Sequence, residues 1–270
     1  MIPSTDTPAV PVVLACSGLD PTGGAGLAAD LEAIASQGCH AAPVATALTV
    51  QSTARALGFE PVAPGLLVEQ VRAVLEDMPV AAVKIGMVAT RTAAECLHTV
   101  LAERPGLPVV LDPVLAAGGG GALAEPGLEE ALRALLVPLA TVVTPNGSEA
   151  LRLVPEADSP EAAALALLEA GAEYVLLTGG DAGGAEVVNR LYGGRRLLET
   201  FRWERLPRAF HGSGCTLAAA LAGLLAQGRE VFGAAHQAQQ YTHEALRAAY
   251  RAGGGQRIPN RLFWAREERP

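Results

Sequence analysis

The chain has 270 residues and a net charge of −8; half of its residues are hydrophobic and 18% are charged. That balance supports a buried core and excludes a disordered segment, and the acidic surplus argues against nucleic acid as a partner. No basic cluster contradicts this, since Arg195-Arg196 is the densest pair and Arg205 with Arg208 adds little.

In chain order, apolar runs alternate with helix-like segments. Strands are predicted at Val12–Ala15, Pro43–Leu48, Ala81–Ile85, Val109–Leu111, Thr141–Thr144 and Tyr174–Leu177, mostly as short continuous apolar runs covered on both faces. Helices are predicted at Leu27–Gln37, Gly65–Leu75, Thr92–Glu103, Leu128–Leu136, Gly147–Val154 and Pro160–Ala170. The last is the best marked, with Ser159 as N-cap, Pro160 at the first helical position and Gly171 as its stop. Glu186–Leu191 and Leu197–Phe201, separated by Gly193-Gly194, read as an antiparallel hairpin. Helices Cys215–Gln227 and Val231–Tyr250 follow, then a polar tail. Repeated βα units predict a three-layer α/β/α fold with a mostly parallel central sheet and ligands at the C-terminal strand ends. With no linker and no repeat, residues 1–270 are expected to form one domain. About 10 N-terminal and about 20 C-terminal residues are expected at its periphery.

Cys16, Cys39, Cys96 and Cys215 show no CxxC spacing, so neither a zinc site nor a disulfide framework is expected, and a reducing, cytoplasmic setting fits. Val13-Leu14-Ala15-Cys16 has the look of a lipoprotein cleavage site, but no Lys or Arg precedes Arg55. No apolar run approaches the ~18–20 residues of a membrane span, so a soluble protein without a membrane partner is expected. Lys84 is the only lysine in an arginine-rich chain.

Two glycine-rich loops carry the chemistry. His211-Gly212-Ser213-Gly214-Cys215-Thr216 runs straight into an apolar helix, which leaves backbone N–H groups uncovered at the positive end of a helix dipole. Such a site holds an anion, most often a phosphate, and the same field favours a thiolate at Cys215. Ser17 to Gly26 forms the second loop, after the first strand. Together they suggest a phosphate donor and an acceptor, although each alone is also read as a tight turn. Gly24-Ala25-Gly26-Leu27-Ala28-Ala29 formally matches a dinucleotide fingerprint. It lies too far from the strand, and no acid between Glu32 and Glu60 is available for a ribose. A Walker A loop is excluded, because no Gly-Lys-Ser/Thr occurs.

The stretch Ser17-Gly18-Leu19-Asp20-Pro21-Thr22-Gly23-Gly24-Ala25-Gly26-Leu27-Ala28-Ala29-Asp30 closely resembles the N-terminal signature of the hydroxymethylpyrimidine/phosphomethylpyrimidine kinases, of the ribokinase-like superfamily. The resemblance continues through Thr46–Thr53, Val83-Lys84-Ile85-Gly86-Met87, Val110-Leu111-Asp112-Pro113-Val114, Thr144-Pro145-Asn146-Gly147-Ser148-Glu149 and the HGSGCT segment, and is loose beyond Val231. It implies a ribokinase-like fold and ATP-dependent phosphorylation of 4-amino-5-hydroxymethyl-2-methylpyrimidine, then of its monophosphate, in thiamin biosynthesis. It further implies Mg²⁺ and a homodimer.

By the same resemblance, Cys215 is the catalytic base, standing where sugar kinases of the superfamily carry an aspartate, with Gly212 and Gly214 beside it. Gln51, whose amide suits an aminopyrimidine, lines the acceptor pocket with Gly18, Asp30, Met87 and Val114. Asn146, Thr178, Gly180 and Ser213 attend ATP, while Glu149, Asn146 and Asp112 organise Mg²⁺ through water. Their plainer readings are a solvated loop glutamine, a surface aspartate, a core methionine and a helix-capping asparagine. The chain departs from the family at Thr178-Gly179-Gly180 and Gly118-Gly119, where Lys-Gly-Gly and Lys-Ser are frequent. Two rival readings are a pyridoxal kinase of the same fold and a non-catalytic pyrimidine-binding relative.

Overall fold

The computed structural model describes residues 10–116, 121 and 123–265. Gly118-Gly119 lies outside the described residues. Among the described residues nine strands form one sheet: β1 (Val12–Leu19), β2 (His40–Gln51), β3 (Ala56–Pro61), β4 (Val80–Ile85), β5 (Val109–Leu111), β6 (Val142–Val143), β7 (Tyr174–Leu177), β8 (Glu186–Gly193) and β9 (Arg196–Glu204). Their order is β3-β2-β1-β4-β5-β6-β7-β8-β9. The six strands from β2 to β7 in that order run parallel, and antiparallel β3 and the β8–β9 hairpin close the two edges.

Strand alternation sends successive side chains to opposite faces. Leu14, Cys16, Val83, Ile85, Leu111 and Val143 meet helices α2 (Pro64–Asp77), α3 (Arg91–Leu101), α4 (Leu128–Ala131), α5 (Gly147–Leu153) and α6 (Pro160–Glu169). Val13, Ala15, Ala82, Val110, Val142 and Leu176 meet α1 (Gly26–Ser36), α7 (Ser213–Ala226) and α8 (Val231–Arg247). The result is the expected three-layer α/β/α fold.

Some boundaries differ for identifiable reasons. Strand β2 runs on to Gln51, and β3, which has no counterpart among the predicted elements, pairs with it. The end of β2 and the edge strand β3 are half-exposed, and β3 is interrupted by Gly58 and Pro61, so the apolar-run signal fails there. The helix predicted at Leu128–Leu136 opens as α4, then widens into a π turn over Leu132–Leu136 and tightens to a 3₁₀ turn at Val137–Leu139. The β8–β9 hairpin is longer than predicted and turns at Gly194 and Arg195, both in the left-handed region. The polar tail is not peripheral throughout: Ile258, Asn260 and Arg261 are buried.

Candidate active site

The C-terminal ends of the parallel strands surround a cleft of about 430 Å³. At its centre lies the start of α7. Gly212 is the N-cap residue, with φ +85°, and a side chain there would collide with the carbonyl of Gly24. Only glycine suits that position. No side chain caps this helix, so the first amides, on Ser213, Gly214 and Cys215, are available at the positive end of fourteen residues of helix dipole. Gly214 keeps the approach open, the nearest atom to a side chain built there being Asp112 Oδ1 at 3.9 Å.

The first glycine-rich loop is folded onto α7 by the Asp20 carboxylate. It accepts from Thr22 N at 2.8 Å, Thr22 Oγ1 at 2.9 Å and Ala25 N at 2.9 Å, and it contacts His211 Nε2 at 2.7 Å. Burial opposes the charge on Asp20, but the hydrogen bonds from His211 and Thr22 outweigh it and hold the carboxyl at about 2. The His211 ring lies against Gly24, where a side chain would strike it. Gly26, which opens α1, donates its N–H to Cys215. The two loops, nearly two hundred residues apart in sequence, form one structure.

Beneath them lies a buried charge cluster. Lys84 Nζ is 2.8 Å from Asp30 and 3.8 Å from Asp112, and both Lys84 and Asp30 are fully enclosed. Burial lowers the pKa of Lys84, but the charges of Asp30 and Asp112 outweigh it and raise the value above that of a free lysine. Gly86 is required above it, since a side chain would strike both the Ser17 hydroxyl and the Lys84 ammonium. The Cys215 thiol lies beside Asp112 and feels its charge. Burial, with Asp112 and Asp30 nearby, pushes this thiol up to about 12 despite Lys84 and the Gly26 amide. The expected thiolate is therefore corrected: a buried sulfur facing two carboxylates keeps its proton at neutral pH.

Asn146 and Glu149 form a reciprocal capping box on α5. Asn146 Oδ1 accepts from Glu149 N at 2.9 Å, and Glu149 Oε2 accepts from Asn146 N at 3.0 Å. Both side chains nevertheless line the cleft, as does Asp112. Burial first, then the charges of Asp112 and Asp181, raise Glu149 to about 8. Asp112 Oδ2 is buried without a hydrogen-bond donor. Among the described residues no three metal-binding side chains come together. Asp112 Oδ2 lies 3.8 Å from the Lys84 ammonium, while Asp112 Oδ1 is the nearest atom on the open side of Gly214. Two crowded carboxylates on one cleft suit a hard cation that takes its remaining ligands from water and phosphate.

Val114, Thr178, Gly180 and Ser213 line the same cleft. The other four predicted acceptor residues do not. Asp30 is fully enclosed by its ion pair with Lys84, which corrects its assignment as a pocket wall. Gly18 faces the Met87 sulfur, and a side chain there would lie 2.6 Å from it. Met87 packs with Ala47, Ala89 and Leu123 in a small cluster at the strand ends, which Val114 also borders. Gln51 closes β2, its Oε1 buried with no partner.

Other residues of the site carry no motif signal. The Arg205 guanidinium binds the carbonyls of Gly179, Gly180, Gly184 and Glu186, and so shapes the loop after Thr178. Val187, Trp203, Leu206, His243 and Leu246 give the far end of the cleft an apolar, aromatic lining. Lys84 was visible as the lone lysine and, like Asp20 and His211, as a member of a longer motif, with no role assigned to it.

Comparison with known proteins identifies the family. The family described as phosphomethylpyrimidine kinase matches residues 20–260. The hydroxymethylpyrimidine/phosphomethylpyrimidine kinase of Rhizobium meliloti (strain 1021) is 39% identical over 250 residues, covering 91% of this chain and 94% of that protein. The enzyme of the same name from Mycobacterium tuberculosis (strain ATCC 25618 / H37Rv) is 38% identical, covering 94% of each. Among solved structures, pyridoxal kinase from Staphylococcus aureus in complex with AMP-PCP and pyridoxal superposes with a TM-score of 0.85 at 26% identity, covering 96% of both chains. Phosphomethylpyrimidine kinase from Clostridium difficile 630 gives 0.76 at 31% identity, covering 88% of this chain and all of that one. The chain belongs to the phosphomethylpyrimidine kinase family.

Proposed function

We propose that this chain transfers the γ-phosphoryl group of ATP to the hydroxymethyl group of 4-amino-5-hydroxymethyl-2-methylpyrimidine, and then phosphorylates the resulting monoester, in thiamin biosynthesis. The observation that carries this reading is the uncapped start of α7 opposite Asp112 and Glu149. Phosphoryl transfer needs positioning and charge stabilisation more than covalent chemistry. The amides of Ser213, Gly214 and Cys215 meet the transferred phosphoryl group, and the apolar end of the cleft takes the purine. Asp112 and Glu149, with Asn146, would hold Mg²⁺ through water; bound there, it neutralises charge on the phosphates. Arg205 orders the loop at the position where a lysine is absent.

In the first step the acceptor alcohol gives its proton to the Cys215 sulfur while the thiol proton passes to Asp112. The second acceptor is an anionic phosphate and has no proton to lose. The unpartnered Oε1 of Gln51 meets the exocyclic amine of the pyrimidine. One domain carries both steps. The protein works in the cytoplasm, where its free thiols stay reduced, as a homodimer joined through the β2–β3 edge, where Leu48, Val50 and Leu57 are exposed.

A coupled ATP-consumption assay with the hydroxymethylpyrimidine, its monophosphate and pyridoxal in parallel tests the reading. Both pyrimidines should be turned over, and pyridoxal more slowly. A preference for pyridoxal would transfer the assignment to that vitamin, and no turnover of any acceptor would end it.

A further inference from the structure

Arg261 is a fully enclosed arginine, contributed by the C-terminal segment and lying one residue beyond the part of the chain that matches the family. Its guanidinium reaches three separate parts of the fold. Nε donates to Thr216 Oγ1 at 2.9 Å, Nη1 to Gly23 O at 3.3 Å and to Glu32 Oε2 at 3.0 Å, and Nη2 to Gly24 O. Its own carbonyl accepts from Ser36 Oγ at 2.7 Å and Tyr241 Oη at 2.8 Å, which fixes the backbone that presents it.

We infer that Arg261 is a positioning residue for phosphoryl transfer: it aims the first amide of the α7 anion site and holds the first glycine loop against it. The link is a two-step relay. Thr216 Oγ1 accepts from Arg261 and donates to the carbonyl of Gly212 at 2.7 Å. That carbonyl shares a peptide plane with the N–H of Ser213, and in a trans peptide the two point in opposite directions. The carbonyl also accepts the helix's own bond from Thr216 N at 3.0 Å, and the hydroxyl adds a second tie; held along α7 by both, it aims the Ser213 N–H out of the helix, into the cleft. The same guanidinium draws in the Gly24 carbonyl, against which the left-handed Gly212 is packed. Neither Gly23 nor Gly24 has a side chain; their amides are tied within the loop, to Asp20 O and Thr22 Oγ1, and their carbonyls are the groups that reach Arg261. A lysine cannot replace the fork, because one ammonium does not reach acceptors on three segments in fixed directions.

The effect is on the rate of transfer and not on ground-state binding, and its kinetic readout rests on the kinase reading above. Arg261→Lys and Thr216→Val should each lower kcat by roughly 10- to 100-fold, the loss of one or two buried hydrogen bonds, with KM for ATP and acceptor within about threefold. Thr216→Ser, which keeps the hydroxyl, should recover most of that loss, and the Arg261→Lys/Thr216→Val pair should be clearly less than additive. Free guanidinium at sub-denaturing concentration should partly restore kcat in Arg261→Gly. A second readout needs no acceptor: affinity for ADP alone should be unchanged in Arg261→Lys and Thr216→Val. The extra affinity for ADP with aluminium fluoride, which mimics the transferred group, should be lost. Full kcat in Thr216→Val would overturn the inference, and so would KM and kcat falling in parallel with the melting temperature. If Arg261 variants do not fold, the Thr216 pair decides alone. An unmodified enzyme that phosphorylates none of the acceptors removes the kinase reading, and the ADP–fluoride comparison still tests Arg261.

Discussion

Lys84 and Asp30 form an ion pair at 2.8 Å with neither side chain open to solvent. A pair so deeply enclosed is costly to desolvate, and a packed apolar pair of similar size is often as stable or more so. Its place explains why it is there. Asp30 holds the ammonium on one side, and on the other the ammonium lies 3.8 Å from Asp112, beneath the thiol of Cys215. Asp30→Asn should cost about 3–5 kcal/mol in urea unfolding, because it leaves a buried charge short of its partner. The double change Asp30→Leu with Lys84→Met should recover much of that stability and leave turnover low. A stable, fully active double variant would reduce Lys84 to core filling.

The sequence made the outline of this cluster legible and not its connections. The alternation of apolar runs and helices gave the layers, and the HGSGCT glycines marked the uncapped start of α7. Asp30 looked like a pocket residue because its motif lies beside the loop, but α1 turns its side chain inward, onto the sheet. Periodicity over so alanine-rich a helix does not mark which face carries the acid. Arg261 was invisible for a related reason. A charged residue in a polar tail reads as solvated, and only the fold brings the uncovered carbonyls of Gly23 and Gly24 to it. Strand β3 was lost because half-exposed edge strands lack the continuous apolar run of buried ones.

Cys215 should serve the first phosphorylation more than the second. Burial and two carboxylates hold its thiol up at about 12, so under the proposed mechanism the sulfur can take the alcohol's proton only by giving up its own. Cys215→Ser should therefore cut turnover of the alcohol well beyond turnover of the monophosphate, measured with each acceptor separately. Equal losses on both would leave the cysteine a packing role.

The Asp20–His211 contact sets an acid limit on the fold. Asp20 sits at about 2 in the folded protein against 3.8 unperturbed, so the unfolded chain takes up its proton first as the pH falls. The stabilisation is present above pH 4 and is lost progressively between about pH 4 and 2; its size is about 2 kcal/mol. Asp20→Asn should be destabilised by that amount in denaturant melts at pH 7, and the gap from the unmodified protein should shrink towards pH 3. A gap independent of pH would mean that the loss is one of packing.

Gln51 should decide between acceptors. Its Oε1 is buried without a partner at the end of β2. The turn that follows is held from the C-terminal side, where Gly255 N donates to Thr53 Oγ1 at 3.0 Å. A carboxamide at this position can accept from an exocyclic amine and donate to the adjacent ring nitrogen of an aminopyrimidine. Pyridoxal offers a phenolic oxygen and an aldehyde instead, and does not engage both halves of the amide in that manner. Losing a polar pair in a closed pocket costs ~1–3 kcal/mol, so Gln51→Leu should lower kcat/KM for the hydroxymethylpyrimidine by roughly tenfold to a hundredfold. Any activity towards pyridoxal should fall much less, because no matched pair is lost with it. Parallel losses on the two substrates would show that Gln51 supports the β2–β3 turn and does not read the ring.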